Sequence, residues 1–153
     1  MPRIVILGAG TAGTIMANRL HRLYADDVAR GLTTITVVDE DERHLYQPGL
    51  LFVPFGVYRP EQLVRPKRRL LRRGVRYVRA TVDRVDLDGR FVHLRGGTAL
   101  EYDALVVATG TRVAPEETEG LTGPGWRERV FDFYTLEGAT ALRDALARRA
   151  PPA

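Results

Sequence analysis

The sequence predicts an α/β fold: a parallel sheet with crossover helices, into which a small antiparallel meander is inserted. Three observations lead there. A short apolar run, Ile4 to Leu7, breaks into Gly8-Ala9-Gly10-Thr11-Ala12-Gly13 and then into a helical pattern. A β-branched run, Thr34 to Val38, ends on Asp39-Glu40. A third apolar run, Ala104 to Val107, ends on the small residues Ala108-Thr109-Gly110. Each run is long enough for one buried strand and too short for a helix.

The glycine turn carries the most chemistry. Its G-x-G-x-x-G spacing, with a strand before and a helix after, is the fingerprint of a dinucleotide site. Gly8 allows a tight turn out of the strand. Gly10 leaves room for a pyrophosphate against bare backbone, and Gly13 lets the helix pack closely. The helix from Thr11 turns its unpaired N–H groups and positive dipole end toward that anion, so Ala9, Thr11 and Ala12 join the candidate site. Ile15, Met16, Leu20, Leu23 and Tyr24 follow at helical spacing and form its expected apolar face, with His21 and Arg22 outside.

Gly31 is read as a stop before the second strand. At the end of that strand Asp39, with Glu40 beside it, is placed to accept hydrogen bonds from ribose hydroxyls. A carboxylate there suits two neutral hydroxyls and repels a 2′-phosphate, which favours FAD or NAD over NADP. The bland alternative is that Asp39 merely begins a loop. Arg43 to Gly56 is apolar and aromatic, and Pro48, Gly49, Pro54 and Gly56 break it up. Pocket lining for a flat ligand and ordinary packing under a lid fit this composition equally. Leu63 to Arg73 reads as a basic helix ended by Gly74, and Val75 to Val78 as the third parallel strand.

Thr81 to Val85, Phe91 to Leu94 and Ala99 to Tyr102 are then three short strands. Asp88-Gly89 and Gly96-Gly97 are the turns between them. This meander, at about residues 80–102, stands where a simple NAD domain would have another crossover helix. The strand at Ala104 re-enters the sheet, and its small end would let a cofactor lie against it. Thr111 to Arg129 is a loop with Trp126 as its expected anchor. Thr135 is the expected N-cap of a last helix with Leu136, Ala139, Leu142 and Leu146 on one face, ended by Pro151-Pro152.

Composition narrows the classes. With 44% hydrophobic and 27% charged residues the chain is globular in type. No apolar run reaches the length of a membrane span, and no secretory signal precedes the first strand. A cytosolic location, with a peripheral position on the membrane left open, is the expectation. The absence of cysteine excludes disulfides, thiolate metal sites and cysteine nucleophiles within these residues. The net charge is +4, and Lys67 is the only lysine among 23 basic residues. The cluster Lys67, Arg68, Arg69, Arg72 and Arg73 reads more readily as a solvated helix face than as a nucleic-acid or lipid site. No nucleic-acid partner is expected.

Gly8 to Gly13, Asp39, His44-Leu45-Tyr46-Gln47-Pro48 and Ala108-Thr109-Gly110 together resemble the flavoproteins with two dinucleotide-binding domains. The similarity is to sulfide:quinone oxidoreductases and type II NADH dehydrogenases, and Gln47-Pro48 is common to both. The stretches Tyr46 to Gly56, Thr111 to Leu121 and Asp132 to Glu137 look more like the sulfide:quinone group. The resemblance implies a Rossmann-like FAD-binding domain, incomplete relative to the family. FAD would be the cofactor, with a quinone and a small-molecule electron donor as partners of the complete enzyme. Gly8 to Gly13 would hold the FAD pyrophosphate and Asp39 the ribose. The Val82 backbone would meet the adenine, Ala108 to Gly110 the cofactor, and Gln47 and Pro48 the flavin side. The sulfide reaction in that group uses redox cysteines that this chain lacks.

Two dinucleotide domains need roughly 300 residues. The expectation is therefore a fragment or one half of a split enzyme. Residues 1–112 would be the FAD-binding portion, and 113–153 a loop and helix leading toward a second domain. Its unpaired sheet edge would favour self-association or a partner chain, and weaken flavin binding by the chain alone. A fragment of an NADH:quinone dehydrogenase and a non-catalytic nucleotide-binding module are the alternatives.

Overall fold

The structure, a computed structural model, describes residues 1–149. In chain order the elements are β1 (Arg3–Leu7), α1 (Thr11–Leu23), α2 (Ala25–Ala29), β2 (Thr34–Asp39), β3 (Arg43–Leu45), β4 (Val64–Pro66), β5 (Val75–Arg79), β6 (Val82–Asp86), β7 (Phe91–Leu94), β8 (Ala99–Glu101), β9 (Ala104–Val107) and α3 (Leu136–Arg149). They form two compact units. One comprises Met1–His44 and Pro66–Gly110; the other comprises Leu45–Arg65 and the chain from Thr111 onward.

The first unit contains the parallel sheet, in the order β5-β2-β1-β9. The strands of its centre are buried on both faces, as the sequence's unbroken apolar runs require. On one face Ile4, Ile6, Ile35 and Val37 pack with Ala9 and Ala17. On the other, Val5, Leu7 and Val38 pack with Val92, Leu94 and Tyr102. The antiparallel meander β6-β7-β8 supplies that second layer, so it does the covering that a crossover helix would otherwise do. Arg3 joins the starts of β1 and β9. Its guanidinium donates to both oxygens of Asp103, each at 3.0 Å, and also pairs with Glu101. The Arg3 side chain holds the Asp103 carboxyl down at a pKa of about 2.

Two sequence expectations are corrected here. Most of the large apolar residues of α1 do not face the sheet: Ile15 is 54% and Leu23 73% exposed, the buried positions are Gly13, Thr14 and Ala17, and of the expected face Leu20 packs against the core. At its N-terminal end the helix lies too close to the strands for large side chains, and only toward Leu20 is there room for one. The basic stretch Leu63 to Arg73 is not an α-helix. It runs through a 3-10 turn at Pro60–Leu63, the extended β4 and a second short 3-10 turn at Lys67–Arg69. Pro66 disfavours helical backbone at Arg65 and removes a donor. Asn18 of α1 then captures the next segment, donating to the Leu70 carbonyl at 2.7 Å and accepting the Arg72 N–H at 2.9 Å.

The second unit has its own small core of Leu50, Val53, Leu63 and Ala139, with Leu45 and Leu136 against it. Gln47–Phe52 forms a 3-10 helix rather than an irregular loop. Its neighbourhood divides: Leu50 and Val53 are packed away, whereas Tyr46, Leu51, Phe52 and Phe55 are exposed. Thr135 caps α3 as expected, its Oγ1 accepting the Gly138 N–H at 3.0 Å. Leu146 of the expected apolar face is exposed, and Ala145 is buried in its place. The Trp126 backbone bridges to Val130. The stop at Pro151-Pro152 lies outside the described residues. No described helix is long and apolar enough to cross a membrane.

Two outcomes follow from these contacts. A Cβ at Gly13 would overlap the Gly8 carbonyl, whereas one at Gly10 meets open space. Gly13→Val should therefore cost about 3 kcal/mol in urea unfolding, and Gly10→Ala no more than about 1 kcal/mol. Arg3→Met should return the Asp103 pKa from about 2 toward the usual value near 3.8, read by NMR titration of the carboxyl carbon. Because the folded value is depressed, the stabilisation from Asp103 is present at neutral pH and lost as pH falls toward 2. In the variant the folded and unfolded values converge, so this pH-dependent contribution shrinks and less stability is lost on acidification.

Candidate nucleotide-binding site

The turn after β1 is built by close approach. Gly8 has φ +93°, and a side chain there would strike the Ala108 carbonyl as well as strain the backbone. The Gly8 N–H donates to the Val38 carbonyl at 2.8 Å, and the Ala108 N–H to the Leu7 carbonyl at 2.8 Å. These bonds bring the carboxyl ends of β1, β2 and β9 together. Thr14 secures the turn from the helix side, its buried hydroxyl donating to the Ala9 carbonyl at 3.1 Å.

At the head of α1, Gly10 is the N-cap and no side chain caps the helix. Thr11 and Ala12 are exposed. First-turn amides have no partner inside a helix, so these donors face outward with the positive end of the dipole behind them. The open space at Gly10 is where a bulky anion could reach them.

Beside this turn lies a cleft of about 210 Å³, lined by Leu7, Gly8, Val38, Asp39, Glu40, Ala80, Thr81, Val82 and Thr109. Of the residues singled out from the sequence, the structure brings Gly8, Asp39, Glu40, Val82 and Thr109 to one wall system. Ala108 packs behind it against the core, and Gly110, at φ +75°, takes the chain out of the unit. Gln47 and Pro48 belong to the second unit, at the head of its 3-10 helix. There the Tyr134 phenol is held below its usual pKa by hydrogen bonds from Thr111 and Gln47.

The Asp39 carboxylate is already engaged. Its Oδ2 accepts the Ala9 N–H at 2.6 Å, and its Oδ1 accepts the Asp41 N–H at 2.9 Å. Lys67 Nζ lies 2.7 Å from Oδ1, with both side chains largely buried. Burial by itself would raise the Asp39 pKa. The bonds from Lys67, Ala9 and Asp41 outweigh it and hold the group ionised below the ordinary carboxylate range. Asp39 thus ties the end of β2 to the glycine turn. Glu40 is freer, its carboxylate accepting one long bond from Thr81 Oγ1 at 3.3 Å.

Lys67 is the site residue that the sequence reading missed. The basic run in the sequence suggests a solvated helix face for it, whereas it is 7% exposed and its backbone N–H donates to the Glu42 carbonyl at 2.8 Å. The one signal in the sequence was its isolation, a single lysine in a chain that otherwise uses arginine.

The pyridine nucleotide-disulphide oxidoreductase family matches residues 2–150 of this chain. The chain is 30% identical to an alternative NAD(P)H-ubiquinone oxidoreductase C1 of Arabidopsis thaliana, over 96% of its own length and 30% of the relative's. It is 27% identical to a mitochondrial sulfide:quinone oxidoreductase of Mus musculus, over 77% and 25% respectively. In fold it is similar to the sulfide:quinone oxidoreductase of Aquifex aeolicus, with a TM-score of 0.75 at 22% identity, covering 97% of this chain and 32% of that one. It therefore spans about a third or less of these proteins. With the match running through the glycine turn, Asp39 and the end of β9, the chain belongs to the pyridine nucleotide-disulphide oxidoreductase family.

Proposed function

We propose that this chain is the FAD-binding portion of a sulfide:quinone-type flavin oxidoreductase. The observation that carries the reading is the uncapped head of α1 at Gly10, standing beside a cleft whose wall holds two acids at the end of β2. A dinucleotide presents both a diphosphate and a ribose diol, the two groups that such donors and acids recognise. Thr11 and Ala12 N–H groups would hold the diphosphate, with Gly10 admitting it. Asp39 and Glu40 would face the ribose, Val82 and Thr81 the adenine, and Thr109 and Gly110 the inner end of the cofactor. Gln47 and Pro48 would lie toward the flavin. FAD, when bound, supplies two-electron redox chemistry between a donor and a quinone; the protein supplies binding, orientation and electrostatics.

A second reading, an NADH:quinone dehydrogenase, is favoured by one observation. The chain has no cysteine, so any thiol that sulfide chemistry needs would have to come from outside these 153 residues. The two readings share the cofactor site and differ in the electron donor.

Equilibrium titrations with FAD, NAD and ADP-ribose test the proposal. Selective binding of FAD, at least tenfold tighter than NAD, is expected even if it is weak in absolute terms. Equal affinity for all three would mark a non-catalytic nucleotide module instead, and no binding of any would remove the reading. Gly10→Val should abolish measurable binding while the thermal midpoint falls by only a few degrees, since its side chain enters the ligand's space and not the core.

A further inference from the structure

We infer that Lys67 is a positioning residue of the ribose subsite: it saturates one oxygen of Asp39, so that a bound ribose gives one hydroxyl to Asp39 and the other to Glu40. The inference rests on the nucleotide reading of the cleft and adds a residue and a division of labour to it.

A carboxylate offers about four acceptor positions, two on each oxygen. On Asp39 three are taken. Oδ1 receives the Asp41 N–H at 2.9 Å and Lys67 Nζ at 2.7 Å, and Oδ2 receives the Ala9 N–H at 2.6 Å. A ribose diol brings two O–H donors, and one open position on Oδ2 accepts only one of them. Lys67 does not simply step aside. Its side chain is 8% exposed, Asp39's is 13%, and its backbone is fixed through the Glu42 carbonyl. Pulling a buried cation from its anion leaves an uncompensated charge. The Ala9 bond holds the glycine turn and is equally committed. The second hydroxyl therefore needs another acceptor in the same cleft. Glu40 lines it, is exposed, and carries only the long bond from Thr81.

The test is a binding cycle on the full chain, by calorimetry, with ADP, 2′-deoxy-ADP and 3′-deoxy-ADP as probes. In the wild-type background Glu40→Ala should weaken ADP by roughly tenfold, the size of one charge-assisted hydrogen bond. It should weaken only one deoxy analogue, the one that keeps the hydroxyl Glu40 holds, and leave the other within about twofold. In Lys67→Met, Asp39 regains a second position, and the same Glu40→Ala change should cost ADP less than about twofold. A lysine that merely supported the fold would lower the melting temperature of Lys67→Met without altering which hydroxyl matters. Equal losses from Glu40→Ala in both backgrounds overturn the inference, as does no loss in the wild type. Should Lys67→Met not fold, the analogue pattern in Glu40→Ala alone decides, and uniform loss across all three probes overturns it. Absence of ADP binding by the wild-type chain would remove the nucleotide reading as well, which separates the two failures.

Discussion

The close seating of α1 on the end of β1 is the constraint from which the rest of the first unit follows. Gly13 lies against the Gly8 carbonyl with no room for a methyl group, and Gly8 in turn lies against Ala108. Three strand ends and a helix head are thereby drawn to one point. Only small residues fit at that contact, which explains why Ala17 and Thr14 are buried while Ile15 and Leu23 are exposed. It also explains why the helix head is left bare: the same glycine-rich backbone that permits close packing brings no side chain to cap it.

Electrostatics completes what packing begins. The Ala9 N–H, the Asp41 N–H and Lys67 converge on Asp39 and fix the carboxylate at the edge of the cleft. An ionised group held in that way is pre-organised, because its orientation needs no reordering when a ligand arrives. The cost is capacity. Each internal bond that locates the carboxylate removes a position that a ligand could use.

Much of this was legible in the sequence, for identifiable reasons. Strands β1 and β2 were visible because buried parallel strands read as short apolar or β-branched runs ending in glycine or an acid, and β9 because a short apolar run ends on small residues. The meander was visible from its turns, and Thr135 from the capping chemistry its hydroxyl allows. What stayed hidden depended on contacts distant in the chain. The apolar face of α1 was assigned from periodicity, yet which face is buried depends on how near the sheet lies. The stretch from Leu63 to Arg73 has helical spacing and good helix formers, but Pro66 and the two hydrogen bonds of Asn18 override them. Lys67 could not be placed at Asp39 by any local rule, because 28 positions separate them and only the fold brings them together.

The two outer strands of the parallel sheet differ in a way that bears on solubility. Along β5, Arg76 and Arg79 stand exposed, so a second molecule docking edge-on there would bring guanidinium against guanidinium. Along β9, Ala104 to Val107 carry no charge, and Val107 is 67% exposed. The arginine-rich margin repels lateral stacking while the alanine-leucine-valine margin offers it no resistance. The charge that guards one margin of the sheet is thus absent from the other.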